Sequence, residues 1–236
     1  MRKTLPATGL VALLMLFPEH VIKALLSKLT ELAPTGGDGQ EVMVVSGLPR
    51  SGTSLMMQML EAGGVPILSD GVRTRDTDNP RGYYEFERVK GLKDGDTEWL
   101  EKAVGHAVKV VSAHLRSLPE GYEYPTIFMN RDIEEVLASQ EKMLAHREEC
   151  KKVDDEQMAR TFEKHLQEVR DWVSRQPNFS CLDLEFKDVI KNPLSAAERV
   201  AGFLDRDLET SEMAKVVDPD LYRNRAAEAG SGPNEE

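Results

Sequence analysis

Val42-Met-Val-Val-Ser-Gly-Leu-Pro-Arg-Ser-Gly-Thr-Ser54 decides how this chain is read. The apolar run Val42 to Val45 suits a strand buried on both faces. Gly47 to Gly52 break that run with turn residues, and Thr53 to Ala62 reads as a helix. A strand, a glycine-bearing turn and a helix in direct succession aim backbone N–H groups at one spot, where the helix adds its positive pole. Such a turn cradles an anion. Gly52 lets the backbone approach, Thr53 and Ser54 add hydroxyls, and Arg50 adds a cation. The competing reading is a turn whose glycines serve packing alone.

Spacing narrows the choice. Gly47 and Gly52 match the glycines of the nucleotide-hydrolase loop G-x-x-x-x-G-K-[ST], but Thr53 stands where that loop needs lysine. A hydrolase of that kind places its lysine on the β/γ-phosphates and its next hydroxyl on magnesium, so the substitution argues against ATP or GTP chemistry.

Outward from the turn, strands and helices alternate. Val65-Pro-Ile-Leu68 reads as a short second strand, His106 to Val111 as a third, Thr126 to Met129 as a fourth and Ser180 to Leu184 as the last. Asp132 is placed to cap a helix through Ile133, Val136, Leu137, Gln140 and Leu144. A longer helix, Asp155 to Arg175, carries Met158, Phe162, Leu166, Val169, Trp172 and Val173 on one face. Pro193 suits the first position of a helix ending near Leu204. The alternation implies an α/β fold in three layers, a mainly parallel sheet flanked by helices.

Composition sets the bounds. With 40% hydrophobic and 30% charged residues in 236, the chain is globular and is neither collagenous nor disordered. Forty-one acidic against 30 basic residues leave a net −11, which argues against a general nucleic-acid binder and leaves room for a local cationic pocket. Cys150 and Cys181 have no metal-ligand spacing and read as core thiols, so no metal site is expected. Residues 1–40 read as an N-terminal arm and linker: Arg2 and Lys3 precede the apolar run Leu10 to Phe17, too short to span a bilayer, and an amphipathic helix follows through Val21, Leu25, Leu26 and Leu29. Membrane-surface association is the minority reading of that arm. Pro34 to Gly39 form the linker, 41–225 the main domain and 226–236 a disordered tail.

A second stretch completes the picture. Pro49-Arg-Ser-Gly-Thr53 resembles the 5′-phosphosulfate loop of sulfotransferases, in the variant that carries arginine in place of lysine, and Phe128 to Ser139 resembles the family's 3′-phosphate motif of strand, arginine and helix. Arg131 and Ser139, eight residues apart, fit that motif. Softer matches are Asp78-Asn-Pro-Arg-Gly-Tyr-Tyr-Glu85 and Leu184-Glu-Phe-Lys-Asp188 with Asn192-Pro193, so the resemblance runs from Val42 to Leu204. It implies 3′-phosphoadenylyl sulfate (PAPS) as the donor, adenosine 3′,5′-bisphosphate (PAP) as the product, Arg131 clamping the 3′-phosphate and Ser139 donating to it. The competing reading of Arg131 is a surface ion pair with Glu134 or Glu135.

Sulfuryl transfer needs an activated acceptor, a cradle for oxygens and charge stabilisation on the departing phosphate. Loop amides with Ser51, Gly52, Thr53 and Ser54 suit the cradle, where one good donor contributes ~3–4 kcal/mol. Arg50 cannot release its proton at neutral pH, so it acts electrostatically, and Lys109 assists. Glu85 is the first choice of general base, with Tyr83 and Tyr84 beside it packing on an acceptor; Asp70 and Glu87 follow. Where cytosolic family members carry Lys-Thr-His, this chain has Lys109-Val-Val111, which leaves His114 as a weak alternative base. Arg73, Arg75, Arg81 and Arg88, interleaved with Asp70, Asp76, Asp78 and Glu87, form either an acceptor lid or a charged loop. Trp99 and Trp172 read as core or interface aromatics, with adenine contact as the other reading of Trp99. Arg223 and Arg225 match no motif.

The expectation is a cytoplasmic sulfotransferase acting on a small-molecule, carbohydrate, lipid or peptide hydroxyl. Two rivals stand beside it: a P-loop phosphotransferase, and a nucleotide-binding protein without turnover.

Overall fold

The computed structural model describes residues 40–72, 82–146 and 154–218. Expectations for the N-terminal arm, Cys150, the arginines at 73, 75 and 81, Asp76, Asp78, Arg223, Arg225 and the tail lie outside the described residues.

Four strands, β1 (Met43–Gly47), β2 (Ala107–Lys109), β3 (Tyr124–Asn130) and β4 (Phe179–Glu185), form one sheet in the order β2-β1-β3-β4. Every pairing is parallel. The helices are α1 (Thr53–Ala62), the single turn α2 (Leu100–Ala103), α3 (Ile133–His146), α4 (Asp155–Val173), α5 (Phe186–Lys191), α6 (Pro193–Leu204) and α7 (Thr210–Lys215). Two 3-10 segments, Glu87–Asp94 and Ser112–Ser117, complete the set among the described residues.

Side chains of β1 alternate between two cores, as a strand covered on both faces requires. Met43 and Val45 join Ala107, Ile127, Met129 and Leu184 beneath α1, α5 and α6, where Met56, Met57, Met59, Leu60, Val189 and Val200 are buried. Val42 and Val44 join Val108, Val110, Tyr124 and Phe128 on the other face, against Val89, Leu92, Leu115, Val169 and Val173. The three layers follow directly.

Local chemistry sets the boundaries. Asp132 Oδ1 accepts from the N–H groups of Glu134 and Glu135 at the start of α3, Asp154 accepts from Glu156 N at the start of α4, and Pro193 opens α6. The expected strand at Val65–Leu68 does not form. Ala107 donates to Pro66 O and Leu68 donates to Ala107 O, giving one bridge at Ile67, but Pro66 has no N–H with which to extend a ladder. Cys181 is exposed, contrary to a core thiol, because it sits on the edge strand β4. Trp99 is fully buried, its ring edge-on to Phe86 and its Nε1 donating to Asp96 O, so it is a core residue and not an adenine contact.

Register positions the site. Gly47 lies opposite Met129, Val45 opposite Lys109 and Asn130 opposite Glu185. The turn after β1, Arg131 after β3 and Lys109 at the end of β2 therefore meet at the carboxyl ends of the strands. There the chain steps from β1 out to β2 and then back past β1 to β3, and such a reversal of strand order is the place where α/β sheets bind ligands.

Candidate active site

The turn after β1 holds Gly47, Arg50 and Gly52 at φ values of 146°, 73° and 97°. A Cβ on Gly47 would collide with Ser51 Oγ and Met129 O, and one on Gly52 would collide with the Phe186 ring. Glycine at these two places is a steric requirement of the loop wrapping against β3 and α5. Arg50 adopts a left-handed backbone without being glycine, a strain that residues at functional sites commonly carry.

Gly52 is the N-cap of α1, so no side chain caps the helix, and no acidic residue lies in its first turn. The first N–H groups of α1 thus keep their positive pole uncompensated from within the helix. Ser51 is 1% exposed and its Oγ has no hydrogen-bond partner among the described residues; Ser46 Oγ at the end of β1 is in the same state. A buried hydroxyl without a partner is costly unless a ligand meets it.

The two arginines expected from separate motifs come together. Arg131 donates from Nη1 to Arg50 O at 3.1 Å, and Arg50 donates from Nε to Ser139 Oγ at 2.9 Å. Arg131 also donates from Nε to Glu135 Oε2 at 3.0 Å, and its guanidinium lies over the Phe186 ring at 4.6 Å. The ion pair with Glu135 is therefore real, but it is buried and not on the surface. Ser139, 3% exposed, accepts from Arg50 here.

Lys109, its side chain 8% exposed, donates from Nζ to Tyr83 O at 2.9 Å and to Ser54 Oγ at 3.2 Å, with Glu85 Oε1 at 3.7 Å. Ser54 Oγ itself lies 3.3 Å from Tyr83 O, so this hydroxyl ties α1 to the segment Gly82–Phe86. Tyr84 has φ 53°, and its hydroxyl donates to Glu61 Oε2 at 2.6 Å, at the far end of α1. Tyr83 is buried, 4% exposed, so it packs inside the fold and not against an acceptor.

The other base candidates are differently engaged. Asp70 accepts from the N–H groups of Val72 and Glu87, and Glu87 pairs with Lys90 at 2.7 Å. Arg88 pairs with Asp96. His114 lies on the 3-10 segment after β2, half-buried; burial, and then the Lys93 charge, push its pKa below the usual histidine range, leaving a neutral imidazole at pH 7.

Sequence reasoning missed Glu135 as a buried partner and Phe186 as the wall behind Gly52 and Arg131. The four-residue spacing of Arg131 and Glu135 carried the first signal. Phe186 is remote in sequence and gave none.

No curated relative matches the chain. Among solved structures, the sulfotransferase domain of a Synechococcus olefin synthase has 14% identity and a TM-score of 0.46, over 81% of this chain and 86% of that one. A Mycobacterium avium sulfotransferase has 12% identity and a TM-score of 0.46 over 89% and 73%. A mouse sulfotransferase complexed with PAP has 15% identity and a TM-score of 0.46 over 83% and 70%. The sulfotransferase domain model matches residues 40–219, a span that takes in all four strands and every contact of the strand-end cluster; the chain belongs to the sulfotransferase domain family.

Proposed function

We propose that the cluster at the strand ends is the centre of PAPS-dependent sulfuryl transfer to a hydroxyl acceptor. One observation carries this reading: the turn after β1, Arg131 after β3 and Ser139 of α3 are cross-linked through Arg50 into a single cluster that holds two guanidinium groups.

The residues suit the nucleotide. Uncapped N–H groups at the start of α1 and the unpartnered Ser51 hydroxyl match what an anionic group needs, and Gly47 and Gly52 let the loop that carries them wrap against β3 and α5. Arg50, Ser51, Gly52, Thr53 and Ser54 would hold the 5′-phosphosulfate, and Arg131 with Ser139 the 3′-phosphate. When bound, PAPS supplies an activated sulfuryl group and departs as PAP.

The protein's own part is positioning and proton handling. Glu85 takes the acceptor hydroxyl proton; its carboxylate is held beside the Lys109 ammonium on a segment pinned through Tyr83 O. Arg50 and Lys109 oppose negative charge at the loop, Arg50 without giving up a proton. The net −11 of the chain favours a hydroxyl compound over a nucleic acid as acceptor, whether small molecule, carbohydrate, lipid or peptide. Among the described residues no helix is long and apolar enough to cross a membrane, and a cytoplasmic setting, where the donor is made, suits the reaction.

The test is transfer of radiolabelled sulfate from PAPS across a panel of hydroxyl acceptors. Label reaching an acceptor with wild type and not with Glu85→Gln supports the assignment. Transfer unaffected by Glu85→Gln removes Glu85 as base, and the absence of transfer to every acceptor class with PAP still bound favours a binding protein.

A further inference from the structure

We infer that Glu135 is a positioning residue that fixes Arg131 for a 3′-phosphate and thereby sets the preference for a 3′-phosphorylated nucleotide. This rests on reading Arg131 as the 3′-phosphate ligand. Glu134 and Glu135 both stand in the first turn of α3, where acidic residues ordinarily face water and favour the helix dipole. Glu134 is exposed, whereas Glu135 is 6% exposed and points at Arg131. Its own N–H is met by Asp132, so its carboxylate is not needed to cap the helix.

The guanidinium is held on three sides. Glu135 takes Nε, the Arg50 carbonyl takes Nη1, and Phe186 covers one face. Arginine ordinarily gives up much rotamer freedom when it binds an anion. Here that freedom is already lost, and the plane of the fork is set before any ligand arrives. Glu135 also balances a buried charge that would otherwise be strongly unfavourable alone. A purely structural ion pair would do only the second of these.

The experiment is calorimetric titration of the full chain with adenosine 3′,5′-bisphosphate and, separately, adenosine 5′-monophosphate, which lacks the group Arg131 would hold. Glu135→Ala is expected to weaken the bisphosphate about tenfold and the monophosphate less than about twofold, since misorientation of a binding group costs on that scale or more. Glu135→Gln, which keeps an oxygen for Arg131 Nε, is expected to retain the preference within about threefold. Glu135→Asp keeps the charge but withdraws it, and its preference should fall toward that of Glu135→Ala; it serves the same purpose if the alanine variant does not fold. Equal losses for both nucleotides, or an unchanged preference in the folded variants, would overturn the inference. Arg131→Ala separates the two levels: if it leaves the preference intact, the reading of Arg131 itself fails, whereas if it alone abolishes the preference, only the role of Glu135 does.

Discussion

Arg131 and Lys109 are buried to the same degree, each side chain 8% exposed, yet they are held in opposite ways. Arg131 relies on regular structure: Glu135 one helical turn away, the Arg50 carbonyl brought alongside by the pairing of β1 with β3, and Phe186 at the start of α5. Lys109 relies on an irregular segment, through Tyr83 O, Glu85 and a hydroxyl of α1. That segment carries a tyrosine at φ 53° and is fastened at its far side by Tyr84 to Glu61. Strand register thus fixes the recess proposed for the nucleotide, while contacts of the Gly82–Phe86 segment fix the side proposed for the acceptor. The first is rigid by construction. The second can change shape and composition without disturbing the sheet, as loops on rigid scaffolds do.

Perturbations of the two sides should therefore separate. The largest effect is expected from Glu85→Gln, which should lower turnover about 10²–10⁴-fold, the usual range for a general base, while PAP affinity stays within about twofold of wild type. Steady-state rates beside calorimetry check this; a parallel loss of affinity would merge the two sides. Lys109→Met comes next. It takes the charged donor from Tyr83 O and leaves Ser54 Oγ at 3.3 Å, at a cost of ~1 kcal/mol, and should speed hydrogen exchange across Gly82–Phe86 while α3 amides stay protected. Exchange accelerating equally in α3 would contradict the contrast.

Gly52→Ala acts on the other side. The new methyl meets the Phe186 ring at a backbone φ of 97°, and a thermal melt should show ~1–3 kcal/mol of destabilisation, a few degrees in Tm. The smallest effect belongs to Tyr84→Phe, which removes an exposed hydrogen bond to Glu61 and should change stability by less than ~0.5 kcal/mol. Any larger consequence of Tyr84→Phe should appear in KM for the acceptor and not in PAP affinity.

The contrast also marks what sequence alone could convey. The helix at Thr53–Ala62 matches its reading residue for residue, because a two-face-buried strand, paired glycines and a run of helix formers all agree there. The cap at Asp132 and the Pro193 start were legible for the same reason: each is a local rule. Val65–Leu68 failed as a strand because its apolar pattern hid the consequence of Pro66 for the ladder. Arg131 was readable as chemistry, but whether its carboxylate neighbour lay on the surface or inside depended on packing against Phe186 and Arg50, which local spacing does not encode. Lys109 was singled out, yet its attachment to Tyr83 O joins segments 26 residues apart through a backbone atom, and no residue type signals such a bond.

On the proposed reading, the β1 turn and Arg131 together hold one nucleotide that carries a 3′-phosphate. Calorimetric titration with adenosine 3′,5′-bisphosphate, and in parallel with ATP and magnesium, on wild type and Arg131→Ala, tests it most directly. The bisphosphate is expected to bind wild type, the Arg131→Ala change to cost about 3 kcal/mol, near a hundredfold in affinity, and ATP to bind weakly with or without magnesium. Tight magnesium-dependent ATP binding with none of the bisphosphate, or bisphosphate affinity unchanged in Arg131→Ala, would contradict it.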